Sequence, residues 1–507
     1  MADPRRLRRR TVLAGGAALA VATQLPQAAA AAAYPTFDLK ADFGAAGNGS
    51  TNDTTAFQQA AAAIQAAGGG TLTIPAGVYV VGRQTHTSGV TPYWVMQPIF
   101  ALSGVRFLHV KGVAGTVIRL AAGLRYGSFD PATGAPLAGI TTNPAYGVEA
   151  GRMIEVLDGT DLTIENLELD GNNDQLVLGG EFGDTGRQLK ATGIRLLGCS
   201  NVRITDVHAH HHGLDGVTVG QPGHTAADPA TPHTITRLRS EYNGRQGLSW
   251  TGGRGLTCTD SSFNHTGRAA VQSAPSAGLD IEAENSVCRD GLFTGCEFVN
   301  NAGEGLNVTH GDGGYTRFEG CTFWGTTERS VLVTKPGVVF KWSNVYGACT
   351  VGYGSADAAL ATVWADCHFE DRPWTNGQVF RNGYLVTDHE NDGHNARFAD
   401  CTFVAREVRS IWASVLTAQK HFVRCTFDHR HATLADGSYQ SHPWGSRLVA
   451  CTFTEAMGTT SRRWYLHLND IVVENDTDGT PTTVTGPAVR WGNPAGPVGP
   501  IAEGTYG

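Results

Sequence analysis

Charge is scarce in this chain. Asp, Glu, Lys and Arg together make up 17% of 507 residues, and the formal net charge is −8. Such a balance lacks the basic field that non-specific binding to nucleic acid or to an anionic membrane surface requires. Long apolar runs are missing too: no segment has the length and apolarity of a membrane span. Cysteine is present, but none of the ten stands in a Cys-x-x-Cys pair, so a zinc site of that type is not indicated. Six of the ten recur in one short unit instead of forming a disulfide framework. In excess is Gly, at 65 residues, alongside Thr, Val and Asn, a mix that suits strands and turns more than helices. A single globular core would be oversized at this length, whereas a repeat array escapes that limit because each repeat needs only its neighbours.

Residues 1–33 read as a targeting leader. Arg5, Arg6, Arg8, Arg9 and Arg10 form a basic region, and Arg9-Arg10-Thr11-Val12-Leu13 opens a short Ala-rich apolar stretch that Gln24 and Pro26 end. The run Ala28–Ala33 offers A-x-A cleavage sites. The stretch resembles a twin-arginine signal peptide, which implies a bacterial source, export of a folded chain and a secreted, extracellular product. Removing its net +4 takes the formal charge to −12. A polyanionic substrate would then need a local basic patch against the global field.

The next block runs Asp42-Phe43-Gly44-Ala45-Ala46-Gly47-Asn48-Gly49, then Thr51-Asn52-Asp53-Thr54-Thr55. A helix follows, with Asp53 or Asn52 as N-cap and Ala56, Phe57, Ala60 and Ile64 as its apolar face. Gly68-Gly69-Gly70 stops it. Two short strands split by Pro75-Ala76-Gly77 come next. This block resembles the opening of right-handed parallel β-helix proteins of the pectin-lyase-like superfamily. Its motif, DFGA-x-GDG-x-TDDT followed by a helix and GGG-x-x-x-x-P-x-G-x-Y, belongs to the pectate-lyase-type domain shared by rhamnogalacturonases, polygalacturonase-like hydrolases and mannuronan epimerases. Asn48 and Asn52 stand where Asp is usual. The resemblance implies an all-β, right-handed parallel β-helix solenoid with an N-terminal capping helix, and a capping role, without catalysis, for Asp42 and Asp53.

The repeat is visible in Cys-x-Phe units at Cys296/Phe298, Cys321/Phe323, Cys367/Phe369, Cys401/Phe403, Cys425/Phe427 and Cys451/Phe453. Residues i and i+2 of a strand share a face, so each pair points the same way, inward, with Cys serving as a small hydrophobe. Spacings of 24 to 26 residues mark single coils, and 46 marks two. The organisation expected is the leader over 1–33, a cap and first coil over 34–81, a β-helix over 82–475 and a Thr-, Pro- and Gly-rich tail over 476–507. Tyr93, Trp94, Tyr126 and Tyr146 fall in less regular sequence on the early coils, either stacking on sugar rings or joining the core.

The chemistry centres on Gly278-Leu279-Asp280-Ile281-Glu282. Period-two alternation makes this a strand with Asp280 and Glu282 on one wet face, about 7 Å apart. Aligning turn-then-Gly segments of successive coils places Thr218, Ser249, Asp280, Asn307 and Leu332 in one outward row. Gly220, Thr251, Glu282, Thr309 and Thr334 form the next. Asp215 and Glu304 join the two acids as catalytic candidates. His212, Tyr242, Arg245, Arg268, Asn307 and His310 are the candidates for holding substrate, and the insertion Ala269–Ala277 walls one side. The His208, His210, His211, His212 run lacks a partner spacing and reads as a solvated turn, and the order of Asp170, Asn172, Asn173 and Asp174 is not that of a calcium loop. No metal is assigned.

A polar trough across a long solenoid suits a polymer. Paired carboxylates point to a glycoside hydrolase acting on an acidic polysaccharide, one acid protonating the leaving oxygen and the other serving as base or nucleophile. β-Elimination or C5-epimerisation of a uronate is the alternative. It needs the sugar carboxylate neutralised by Arg or calcium, and a base among His212, Tyr242 and His310. The epimerase motif Tyr-Gly-Phe-Asp-Pro-His is absent; Gly213-Leu214-Asp215-Gly216 is the nearest stretch. The Gly-His-Gly of polygalacturonase-like hydrolases is also missing. A non-catalytic glycan-binding β-helix is the third class. No cofactor is required, calcium entering only with elimination, and the expected partner is a polysaccharide, not nucleic acid or membrane.

Overall fold

A computed structural model describes residues 34–430 apart from 88, 90–92, 351, 382–383, 388–392, 407–409 and 413–419, and also 446–455, 465–467, 472–485, 490–492 and 504–506. The leader and its export role lie outside the described residues. The chain winds into a parallel β-helix of three faces. One coil shows the pattern: Leu292–Thr294 on the first face, Glu297–Val299 on the second and Leu306–Gly313 on the third. Each strand pairs in parallel with its counterparts in the coils before and after. In two coils one long strand, Thr160–Asp170 or Ser200–His210, runs around the first corner and serves both faces.

The corner between the first two faces explains the Cys-x-Phe unit. One residue there takes the left-handed conformation, as do Asp260, Gly295, Gly320, Trp342, Asp366 and Asp400, and turns the chain. The next residue, Cys or Ser, tucks inward, and Phe follows two positions later on the second face. The 46-residue gap is two coils because Ser343 and Val345 fill the intervening corner: Val345 pairs with Phe323 on one side and Phe369 on the other. All ten cysteines are buried and unpaired. Two aromatic columns fill the core. On the second face Phe298 stacks on Phe323 at 4.9 Å and Phe403 on Phe427 at 5.0 Å. On the first, Phe293, Phe318, Phe340 and Trp364 stack at 3.8 to 5.2 Å. Such pairs add about 0.5–1.5 kcal/mol each beyond their burial.

Helix α1, Thr54–Ala67, closes the N-terminal end with Ala56, Phe57, Ala60, Ala61 and Ile64 buried. Its Gln65 brackets the first strand of the third face, Phe100–Ser103, through Nε2 to the Ser103 carbonyl at 2.8 Å and the Ser103 amide to Oε1 at 2.9 Å. Asp53 occupies the N-cap position, yet its carboxylate accepts the Ala46 and Gly47 amides at 2.7 and 3.0 Å, fastening the preceding loop. Tyr93 and Tyr126 are buried in the core and not offered to sugar. Within 476–507, read from the sequence as a tail, Thr482–Thr485 adds one more strand to the second face and Gly504–Tyr506 pairs antiparallel to it.

Candidate functional site

The third face carries the candidate site. Its outward row runs Glu155, Arg195, Thr218, Ser249, Asp280, Asn307 and Leu332, each paired with the next across parallel strands. The first outward row expected from the sequence is therefore present, extended by two coils. The second row is not. A bulge in the longest strand, Ala277–Arg289, shifts the register, so Glu282 lies opposite His310 and not Thr309. Bulges re-aim side chains beside functional sites.

Asp280 is not on a wet face. It is 3% exposed, as is Asp215 one coil before Gln246. Gln246 is fully buried and donates its amide to Asp280 Oδ2. Thr218 Oγ1 donates to Asp215 Oδ2 at 3.0 Å. Arg245 lies among these acids, with Nε 3.4 Å from Asp215 Oδ1 and Nη2 3.6 Å from Glu282 Oε2. Both distances exceed the roughly 2.7–2.9 Å of a tight N⁺–H···O⁻ bond, so neither carboxylate takes the guanidinium up fully. The side chains of Arg245 and Glu282 are 17% and 22% exposed, and these two open the cluster to solvent.

Burial sets the protonation. It pushes the Asp280 carboxyl well above the ordinary range; the Glu282 charge pushes the same way, and Arg245 opposes both. Asp215 is raised by burial against the pull of Arg245 and the Thr218 bond. Glu304 is raised by burial, with Glu328 adding. Arg245 is raised because Asp215, Glu282, Asp280 and Glu284 together outweigh its burial. Buried polar atoms short of a full hydrogen bond gather here: Ser249 Oγ and Asn307 Oδ1, and Asp215 Oδ1 and Arg245 Nε, which meet only each other at 3.4 Å. Unpaired buried polar groups are costly in a merely structural setting and are a mark of functional sites.

Of the sequence candidates, Asp215, Arg245, Asp280 and Glu282 come together, with Glu304 close enough to raise Asp280 electrostatically. Asn307 adjoins Asp280, and His310, exposed on the bulge, faces Glu282. Three candidates sit apart from this cluster. His212 is buried in the turn: Nε2 meets the Leu169 carbonyl at 3.1 Å and its amide donates to Asn243 Oδ1 at 3.0 Å. Arg268 is spent on the next coils, donating to the Asn300 and Asn301 carbonyls and to Thr326 and Thr327 at 2.7 to 3.1 Å. Tyr242 takes a left-handed turn position and stacks between His211 at 5.1 Å and His265 at 4.7 Å. The left-handed seats belong to His211, Tyr242, His265 and Asn300, while Asn243 and Asn301 use their amides to bridge coils. Nor is the histidine run a solvated turn: His208 and His210 project from strand Ser200–His210 beside Glu168 and Asp170.

The sequence reading missed Gln246, Glu284 and a flanking group on the same row. There Glu155 Oε1 accepts from Arg152 at 2.6 Å and from Arg195 at 2.7 Å. The alternation Ile194-Arg195-Leu196 carried a signal for Arg195; Gln246 carried none, since its role depends on the coil that follows. The insertion Ala269–Ala277 does clamp the site's edge: its Ser273 amide reaches the Gly244 carbonyl at 2.9 Å, and the Gly303 amide reaches Ser276 at 3.0 Å.

The stacked coils and their three faces define a parallel β-helix protein. A family model described as "Right handed beta helix region" matches residues 151–344. Mannuronan C5-epimerase AlgE3 of Azotobacter vinelandii is 29% identical over 201 residues, 36% of this chain and 9% of the epimerase. The chain thus spans under a tenth of that relative's length. Among solved structures, the A-module of mannuronan C-5 epimerase AlgE4 from Azotobacter vinelandii is 16% identical, with 90% of this chain and 100% of that one covered and a TM-score of 0.41. The N-terminal fragment of bacteriophage phi29 gene product 12 is 14% identical over 89% and 72%, with a TM-score of 0.47.

Proposed function

We propose that the chain is a polysaccharide-modifying enzyme that acts on a uronate-containing polymer lying along the third face, by removal of the C5 proton. The observation that carries this reading is the setting of Arg245. Its guanidinium is surrounded by acids, but Asp215 and Asp280 are held toward the protonated form by burial, and neither Asp215 nor Glu282 binds it tightly. Its charge is left for a sugar carboxylate, the local cation that a chain of this net charge needs. The matched segment of a mannuronan C5-epimerase supports the same substrate class.

In this reading Arg245 neutralises the uronate carboxylate and Glu282 or His310, both open to solvent, takes the C5 proton. The C5–H electron pair moves into the carboxylate. Return of a proton to C5 from the opposite face gives the epimer. Alternatively the C4–O4 bond breaks, Asp280 delivers its proton to O4, and an unsaturated uronate results. The hydrolase reading keeps one specific support: burial and the Glu282 charge push Asp280 toward its protonated form next to a more accessible carboxylate, the division of labour that glycoside cleavage uses. Incubating the enzyme with mannuronan and other polyuronates in D2O separates these. Deuterium at C5, or new chain ends carrying a C4=C5 double bond, supports the proposal. New reducing ends with neither unsaturation nor deuterium at C5 indicate hydrolysis, and no product on any polymer favours glycan binding without catalysis.

A further inference from the structure

A second group of titratable side chains lies on the second face, outside the candidate site. Strands Thr160–Asp170 and Ser200–His210 pair so that Glu168 lies opposite His208 and Asp170 opposite His210. The next coil sets Arg239 beside His208 and Glu241 beside His210. Leu167, Leu169, Val207 and Ala209 point into the core, so the alternating acids and histidines all stand on the outer surface of adjoining strands. The His208 and His210 rings are 4.2 Å apart, and His210 Nε2 is 3.2 Å from Glu168 Oε1.

Several neighbours are already engaged. Asp170 accepts from Arg119 Nε at 2.6 Å and from the Asn172 amide at 2.8 Å. Glu241 pairs with Arg239 at 2.8 Å. His208 Nε2, in contrast, is buried and makes only a long contact, 3.5 Å, to Glu241 Oε2. One ligand atom from each of Glu168, His208 and His210 lies within 4.8 Å of the other two. Ligand atoms around a tetrahedral zinc stand roughly 3.3 Å apart, given bonds of about 2.0–2.2 Å. Small side-chain rotations on fixed strands close that difference.

We propose that Glu168, His208 and His210 bind one divalent first-row transition ion, of the zinc, nickel or copper type. Two imidazoles and one carboxylate suit these metals; calcium and magnesium want oxygen ligands throughout. His211 supplies the outer support that ligating imidazoles need, its Nδ1 2.8 Å from His210 Nδ1, which orients the ring with Nε2 toward the ion. Glu168 and His208 also line a groove of about 590 Å³ bounded by Val113, Asp206, Arg237 and Asp260, which gives an ion a route in from solvent.

The test uses the exported chain without a histidine tag, stripped with chelator and titrated with Zn2+ or Co2+. One equivalent is expected to bind, with a visible Co2+ ligand-field band and a raised melting temperature. Glu168→Gln, His208→Ala and His210→Ala should each weaken binding by at least ~10-fold. His421→Ala, on the first face, should leave it unchanged. Absence of a one-equivalent isotherm and of the Co2+ band in the unmodified protein overturns the proposal without reference to any variant. Binding that survives the His208→Ala/His210→Ala double change in a protein retaining its far-ultraviolet spectrum overturns it as well.

Discussion

Acid should loosen this solenoid through His212. The imidazole is buried, its Nε2 lies 3.1 Å from the Leu169 carbonyl, and its Nδ1 has no partner. The neutral tautomer with the proton on Nε2 satisfies that contact; a second proton on Nδ1 would be buried and unpaired. Burial, with His210 next, pushes the pKa down from 6.5 to about 3. The folded value lies below the unfolded one, so below pH 6.5 the unfolded chain takes up a proton that the fold refuses. Stability is therefore full above the unfolded pKa and falls with pH across the window from 6.5 to about 3. At about 1.4 kcal/mol per unit, the loss from this residue is about 3 kcal/mol at about pH 4.5 and about 5 kcal/mol at the foot of the window. His210, His233, His265 and His421 are also lowered by burial and add to the same trend, so the measurement must be a difference. His212→Gln keeps a side-chain N–H for Leu169 and cannot titrate. Its urea midpoint should start below that of the native protein near neutrality, by the equivalent of about 1–3 kcal/mol, and the gap should close or reverse by about pH 4.5. Curves for the two proteins that stay parallel between about pH 6.5 and 4.5 would refute the assignment of His212 as a buried neutral base. Glu241, held down to about 2 by its His208 and Arg239 contacts, loses its contribution between 4.5 and about 2, below the range from pH 6.5 to 4.5 in which the two proteins are compared.

Asp280→Asn should lower kcat by about 10²–10⁴-fold on any polymer the enzyme turns over. Because the folded pKa of Asp280 is raised, its ionisation destabilises the fold as pH rises, so the same variant should melt higher than the native protein on the alkaline side. A variant that melts lower throughout would count against the buried acid. Arg245→Ala and Arg268→Ala should behave oppositely: the first loses activity or raises KM with modest change in melting temperature, and the second melts lower while KM holds, since Arg268 ties turn carbonyls and hydroxyls of later coils. Phe318→Ala, in the middle of the first-face column, should cost about 3–5 kcal/mol, read from urea denaturation. Thiol titration should find essentially no fast-reacting cysteine in the native chain and ten after denaturation; rapid native reaction would mean the inward corners are open.

What the sequence by itself determined is the part that repeats. The period of the Cys-x-Phe unit, the period-two alternation of short strands and the Gly-stopped helix α1 follow local rules, and a coil laid on its neighbour in register needs nothing else. That is why the row Thr218, Ser249, Asp280, Asn307, Leu332 could be aligned from residues alone. The bulge that pairs Glu282 with His310 was not legible, because an extra residue in a strand leaves no mark in composition. Burial was not legible either. Alternation says which side Asp280 points to, but only the packed coils show that this side is covered and that Gln246 reaches it. His212, Tyr242 and Arg268 sit in the right turns by number, yet the winding of the chain turns them into ties between coils. Of the two candidate arginines, Arg245 and not Arg268 meets the acids. The ligand set of Glu168, His208 and His210 is 42 residues apart in sequence at its ends and adjacent only because the coils stack. Local periodicity fixes which residues share a face, whereas charge state and chemistry depend on what lies above and beside each group, and the tertiary structure alone decides that.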